Sequence, residues 1–170
     1  QFGDLGKVIK GVKEGKHKRW YENGQLKEVS NWKGGKIGKA KYWYENGQLY
    51  YETYVDGELE YSDVYSAKKY YENGNLMYYM KDQNDSITIV KWYHKNGNLW
   101  YDYDTQFDSD LDTSYFFSYW KNYDENGYLD IHHIYEKGKI IEYKWYDKGR
   151  LDYHKKNGKV VFEYGEYLDN

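Results

Sequence analysis

The chain has 170 residues, a net charge of −3, no Cys and no Pro, and a hydrophobic fraction of 39% in which Tyr (25) and Trp (7) weigh heavily. The lack of Cys excludes disulfides and thiolate metal sites, and no apolar run approaches the roughly 20 residues of a membrane-spanning helix. The charge is polarised: residues 1–50 carry 11 Lys/Arg against 5 Asp/Glu, residues 51–130 carry 6 against 16, and residues 131–170 carry 8 against 7. Such a field steers charged partners.

From the N-terminus, residues 1–11 are atypical and read as an end cap, as do residues 162–170. The chain opens at Gln1 rather than Met, consistent with removal of an N-terminal segment, so it fits the cytoplasm or export equally. Between the caps one cassette recurs, centred on Gly24, Gly47, Gly74, Gly97, Gly127 and Gly149. Four residues before each glycine stands an aromatic: Trp20, Trp43, Tyr70, Tyr93, Tyr123 and Trp145. Two residues after it stands a leucine: Leu26, Leu49, Leu76, Leu99, Leu129 and Leu151. Asn precedes the glycine in all but the last copy.

Asn-Gly between aromatic-rich runs predicts a β-hairpin with a two-residue type I′ turn. On that register Tyr44 faces Leu49, Trp43 faces Tyr50 and Tyr42 faces Tyr51. One face then collects Tyr42, Tyr44, Leu49 and Tyr51, and is read as the more buried. The other carries Trp43 and Tyr50 among Lys41, Glu45, Gln48 and Glu52. A second, looser turn is expected between cassettes, at Glu14-Gly15, Gly34-Gly35, Asp56-Gly57, Asn84-Asp85, the 108–112 region, Lys137-Gly138 and Asn157-Gly158. The long spacings between glycines place extra residues at about 58–66 and 104–117, expected as longer loops. The fold class is therefore all-β: an elongated antiparallel meander of about a dozen strands, a single repeat domain over residues 1–170.

The unit Trp-Tyr-Glu-Asn-Gly-Gln-Leu, with a glycine turn about ten residues on, resembles the MORN repeat, specifically the bacterial MORN-repeat variant, over residues 12–160. The sixth copy departs with Lys148 in place of Asn. In the fourth and fifth, His94 and Asp124 replace the second aromatic. The resemblance implies an extended hairpin sheet with a non-enzymatic binding role. Bacterial members are commonly labelled antitoxin-like, and eukaryotic relatives are linked to membrane lipids and protein assembly. No catalytic residue is carried over.

Asp102, Asp104, Asp108, Asp110 and Asp112 form the sharpest local anomaly. Residues 108–112 begin like a calcium loop, but Thr113 replaces the turn glycine and Tyr119 the bidentate Glu. The stretch reads better as an acidic surface for a basic partner. Neighbouring His132 and His133 point to opposite faces, against a shared metal site. Nucleophile-elbow, phosphate-loop, zinc-protease and dinucleotide motifs are all absent, so no enzyme and no cofactor is expected.

The aromatic row, with cross-strand partners Tyr50, Met77 and Trp100, either stiffens the sheet or forms a binding strip. Candidate partner-binding residues are Trp43, Tyr50, Tyr70, Tyr93, Trp100 and Tyr123, with the five aspartates. The leading expectation is a protein-binding, antitoxin-like or immunity-like module for a basic partner. Alternatives are a glycan or cell-wall surface, or an anionic lipid surface met by the basic N-terminal third. The acidic middle argues against nucleic acid, and open sheet edges leave monomer and edge-paired dimer both open.

Overall fold

The computed structural model describes residues 5–55, 64–83, 86–110 and 113–164, and at 64 and 65 the backbone alone. All its elements are β-strands, and the strands fall into two compact units, Gln1–Asp82 and Gln83–Asn170. The first holds β1 (Leu5–Ile9), β2 (Val12–Trp20), β3 (Leu26–Lys33), β4 (Lys36–Trp43), β5 (Leu49–Val55), β6 (Val64–Tyr70) and β7 (Leu76–Asp82). The second holds β8 (Ile87–Tyr93), β9 (Leu99–Asp108), β10 (Thr113–Tyr123), β11 (Leu129–Glu136), β12 (Lys139–Asp147), β13 (Arg150–Lys156) and β14 (Lys159–Glu163). Within each unit the strands pair antiparallel in sequence order, as the repeat requires.

The turn chemistry corrects the expected register. Gly47 N–H donates to Tyr44 O at 3.0 Å and Tyr44 N–H to Gln48 O at 2.9 Å, with Gly47 at φ 85 and Asn46 outside the left-handed region. This is a three-residue loop, a type I turn closed by a glycine bulge, rather than a two-residue type I′ turn. Asn46 contributes its side chain instead: Oδ1 accepts Gln48 N–H at 2.9 Å. The same clamp joins Asn23 to Gln25, Asn73 to Asn75 and Asn96 to Asn98. Lys148 cannot make it, and in that copy Lys148 and Gly149 both take positive φ while Asp147 pairs with Arg150, which is the two-residue geometry.

A second bulge follows in the returning strand, in the two-residue Lys148 copy as well as in the three-residue ones. Trp43 pairs with Leu49 while Tyr42 still pairs with Tyr51, which leaves Tyr50 outside the ladder. Lys27, Met77, Trp100 and Asp130 are displaced in the same way. The expected pairs Trp43–Tyr50 and Tyr44–Leu49 are therefore replaced by Trp43–Leu49. Likewise Leu76 and Leu99, not Met77 and Trp100, face Tyr70 and Tyr93. A bulge re-aims the side chain it carries, and Tyr50 now lies 4.8 Å from the ring of Tyr44 and 6.4 Å from that of Tyr51.

Among the described residues the strands number fourteen, close to the dozen expected. Other expectations change. Residues 104–108 and 113–117 prolong β9 and β10 where a long loop was expected, and Glu14-Gly15 lies inside β2, the turn falling at Lys10-Gly11. Turns do form at Gly34-Gly35, Lys137-Gly138 and Asn157-Gly158. The expected turns at Asp56-Gly57 and Asn84-Asp85, and residues 58–63 of the other expected loop, lie outside the described residues.

In the first unit the core is a strip along one sheet face. His17, Ser30, Ala40, Thr53, Ala67 and Met80 stand in one cross-strand row, followed by Arg19, Glu28, Tyr42, Tyr51, Lys69 and Tyr78. Ser30, Ala40, His17 and Ala67 are 1–3% exposed and Glu28 6%. Glu28 accepts from Arg19 at 2.9 Å and from Ser30 Oγ at 2.8 Å. The His17 ring lies where a Cβ on Gly6 would meet Nδ1 at 2.1 Å, so only glycine lets β1 close over it. Few apolar side chains are fully buried, and polar stitching between hairpins supplements them. Tyr21 Oη donates to Trp43 O at 2.6 Å and Tyr44 Oη to Tyr70 O at 2.9 Å. His94 Nε2–H reaches Tyr123 O at 3.2 Å from the same cassette position. Tyr44→Phe is expected to lower stability by about 1 kcal/mol through loss of this hydrogen bond, read as a lower midpoint in chemical denaturation with unchanged far-UV circular dichroism.

Candidate binding surface

In the second unit, cross-strand rows place Val90, Tyr103, Trp120, His133 and Tyr143 on one face, with Trp92, Tyr101, Asn122, Ile131 and Trp145 beside them. The rings form a continuous chain: Tyr101 to Trp120 at 5.6 Å, Trp120 to His133 at 5.2 Å, His133 to Tyr143 at 4.9 Å and Tyr143 to Tyr153 at 5.9 Å. Phe116 branches from it, 5.4 Å from Tyr103 and 5.2 Å from Tyr135. Trp100, freed from the ladder by its bulge, stacks on Tyr101 at 4.6 Å and on His94 at 5.2 Å. Together Trp92, Trp100, Tyr101, Tyr103, Phe116 and Trp120 line an open, almost wholly apolar depression of about 380 Å³. Farther along β9 on the same face stands Phe107, 47% exposed.

The candidate residues divide between the two faces. Tyr50 and Trp100 join the ring-bearing faces. Trp43, Tyr70, Tyr93 and Tyr123 occupy the opposite face, where the first, third and fourth positions of this set pair with Leu49, Leu99 and Leu129, and Tyr70 with Leu76. On that face Tyr70 Oη donates to Glu52 at 3.0 Å, and burial together with this carboxylate pushes the phenol up to about 12.

The aspartates divide too. Asp102 is 9% exposed and receives Lys91 Nζ at 3.1 Å and Tyr119 Oη at 2.8 Å. Asp104, 8% exposed, receives Ser118 N–H at 2.8 Å, Tyr119 N–H at 3.1 Å and the Ser118 hydroxyl. It thereby satisfies the backbone at the bulge between Phe116 and Trp120. Asp108 and Asp110 lie at the exposed end of the β9–β10 hairpin, joined by Asp110 N–H to Asp108 Oδ1 at 3.0 Å, and Asp112 lies outside the described residues. Alternation alone places Asp102 and Asp104 on one face and Tyr101 and Tyr103 on the other. The bulge that lifts Trp100 is the part that residue spacing did not reveal.

Behind the aromatic face runs a charged row, Lys91, Asp102, Lys121, His132, Lys144 and His154. His132 and His133 thus face opposite ways, as expected from alternation. Glu142, 9% exposed, takes Lys144 at 2.7 Å, His154 at 2.8 Å and Lys156 at 3.5 Å, and the Lys144 hydrogen bond leads in holding its carboxyl down to about 2. Burial, then the charges of Lys121 and Lys144, press His132 down to about 4. Among the described residues no three His, Cys, Asp or Glu side chains gather as a metal site.

These features define a class: a β-hairpin repeat sheet whose strands pack chiefly on their sequence neighbours, with a broad aromatic face and no enclosed chemical centre among the described residues. Comparison with known families agrees. The model of the MORN repeat variant matches four segments, residues 13–33, 36–56, 66–81 and 88–105; the cassettes of Gly127 and Gly149 lie beyond them. MORN repeats are in general non-catalytic repeat modules for binding protein or membrane. No curated protein matches the chain.

Two measurements check this account. Asp104→Asn removes charge from a buried acceptor of backbone N–H groups and is expected to cost about 1–3 kcal/mol, whereas Asp110→Asn should leave the denaturation midpoint nearly unchanged. His132 carries a lower pKa folded than unfolded, so the unfolded chain binds more protons and stability falls as pH drops from about 6.5 towards 4. His132→Asn should flatten the denaturation midpoint across that window relative to wild type.

Proposed function

We propose that the chain is a non-enzymatic scaffold that binds a partner protein through the aromatic face of its second unit, and that the Asp108–Asp110 tip, exposed at Asp110, selects a basic partner. The observation that carries this reading is the apolar depression of Trp92, Trp100, Tyr101, Tyr103, Phe116 and Trp120. Large rigid rings concentrated in one place are what interface hot spots are made of, and the depression offers almost no polar atoms to fix a small substrate or a sugar. In its finer form the proposal is an antitoxin-like or immunity-like inhibitor of a basic protein, which the excess of acid over residues 51–130 favours. Asp102 and Asp104 then act by holding β10 and its rings in place. Immobilised wild-type protein should retain a basic partner at about 50 mM salt and less of it at 300 mM, as screening of exposed charges dictates. Trp100→Ala and Trp120→Ala should each weaken that binding at least about tenfold, a truncation cost of ~1.4 kcal/mol or more. Binding equal to wild type in both variants would refute this surface.

A second reading rests on the first unit. Lys18, Lys41 and Lys68 stand in one cross-strand row with Glu52, and Lys39 and Lys81 in the next with Tyr54 and Ser66. Lys41 and Lys68 share Glu52 at 3.0 and 3.5 Å, which leaves this lysine-rich face with positive charge in excess of its single carboxylate in those rows. It favours contact with an anionic lipid surface. Cosedimentation with phosphatidylserine vesicles should then be lost in the Lys39→Glu/Lys41→Glu/Lys68→Glu variant; equal sedimentation would exclude the reading.

A further inference from the structure

We propose that Asn157 is a site of spontaneous deamidation, and that its isoaspartyl product loosens β14 from β13. The chemistry needs no enzyme and is separate from the binding surfaces above.

Six Asn-Gly pairs occur in the chain, at Asn23, Asn46, Asn73, Asn96, Asn126 and Asn157. Such a pair can cyclise because glycine has no side chain to hinder attack by its nitrogen. The glycine N–H gives its proton to hydroxide, and the nitrogen lone pair forms a bond to the asparagine Cγ. The Cγ–Nδ2 bond breaks, and Nδ2 leaves as ammonia after taking a proton from water. Water then adds to either carbonyl of the resulting succinimide and opens the ring to aspartate or isoaspartate. Ring closure requires an unengaged glycine N–H and a backbone able to swing that nitrogen towards Cγ.

Five of the six sites are held against this. Their glycine N–H groups are engaged: Gly24 donates to Tyr21 O, Gly47 to Tyr44 O, Gly74 to Tyr71 O, Gly97 to His94 O and Gly127 to Asp124 O, at 2.9–3.0 Å. Their carboxamides are tied as well. Asn23, Asn46, Asn73 and Asn96 carry the Oδ1 clamp. Asn23 and Asn96 also donate from Nδ2 to Glu45 O at 3.2 Å and Glu125 O at 2.7 Å, in the next hairpin. Asn126 Nδ2 donates to Asp124 Oδ2 at 3.3 Å, and that carboxylate opposes negative charge forming on the Gly127 nitrogen.

Asn157 differs on each count. It sits in a two-residue turn, with φ 48 at Asn157, φ 78 at Gly158 and Lys156 paired with Lys159. Such a turn is closed by the N–H of its fourth residue, which leaves the N–H of the third pointing outward. Among the described residues neither the Asn157 carboxamide nor the Gly158 N–H makes a hydrogen bond, and both residues are exposed. Moreover, β14 pairs with β13 alone and all five of its residues are exposed. Opening this hairpin therefore breaks fewer contacts than opening an inner one. The other two-residue turns place Lys10, Lys137 and Lys148 where Asn157 stands, and lysine has no amide to cyclise.

Isoaspartate routes the main chain through the former side-chain carbonyl and so adds a methylene to the turn. A two-residue turn has no slack for it, so the Lys156–Lys159 and Lys155–Val160 pairs lose their register.

The test is incubation of the full chain at mildly alkaline pH in heavy-oxygen water, with conversion at each Asn-Gly followed by peptide-mapping mass spectrometry. Asn157 is expected to convert at least about tenfold faster than each of the other five, as a lower cost of local opening dictates. The six rates should draw together when the chain is incubated in guanidinium chloride. In the isoaspartyl fraction, amide hydrogen exchange should quicken in β14 and stay unchanged in β9. A native rate at Asn157 no higher than at a clamped site overturns the assignment, as does a lead that persists in denaturant. Unchanged exchange of β14 in the isoaspartyl fraction overturns the loosening.

Discussion

The hydrogen bond that a backbone N–H donates to the Oδ1 of the asparagine two residues before it recurs in four cassettes and governs much of this molecule. It favours a three-residue loop over a two-residue one, since the carboxamide caps the turn while glycine takes the left-handed position. The longer loop offsets the two strands by one residue. A bulge in the returning strand, present also where the loop has two residues, releases one side chain per hairpin from cross-strand pairing. Trp100 owes its position stacked on Tyr101 to that bulge.

Stability follows a different logic from that of a two-layer domain. Ala40, Val55, Ala67 and Val90 are the fully buried apolar side chains among the described residues, and most of the aromatic surface is half-buried against adjacent strands. What holds one hairpin to the next is therefore local: ring contacts, tyrosine-to-carbonyl hydrogen bonds, and buried carboxylates such as Glu28, Asp104 and Glu142 that are each fully engaged. In such a repeat, energies add mainly between nearest neighbours. Damage at one hairpin should stay near it, and an acidic group inside the sheet serves as a strut rather than as a reagent.

The strand order and the alternation of faces were legible in the sequence, because the cassette fixes both the turn and the period of two. Beyond the bulges the expected register survives: Tyr42 does face Tyr51 and Lys41 does face Glu52. Two physical facts were hidden. Asparagine before glycine serves a two-residue or a three-residue turn equally well, and the side-chain hydrogen bond that decides between them leaves no separate mark in the spacing. Burial of Asp102 and Asp104 depends on Lys91, Tyr119 and Ser118 meeting them across strands, so a run of aspartates read as one acidic patch parts into internal struts and an exposed tip. The Lys148 copy shows the converse, for the residue that broke the pattern is the one that adopts the expected type I′ geometry.

The bulge position also bears on how such a sheet changes its recognition. Lys27, Tyr50, Met77, Trp100 and Asp130 occupy equivalent places in successive hairpins, yet they are basic, phenolic, thioether, indole and acidic. None has a ladder partner within its own hairpin, so the position accepts side chains of very different chemistry. The hairpins thus form a series of independently variable display sites on a fixed backbone, and a new binding preference can be written into the sheet one side chain at a time.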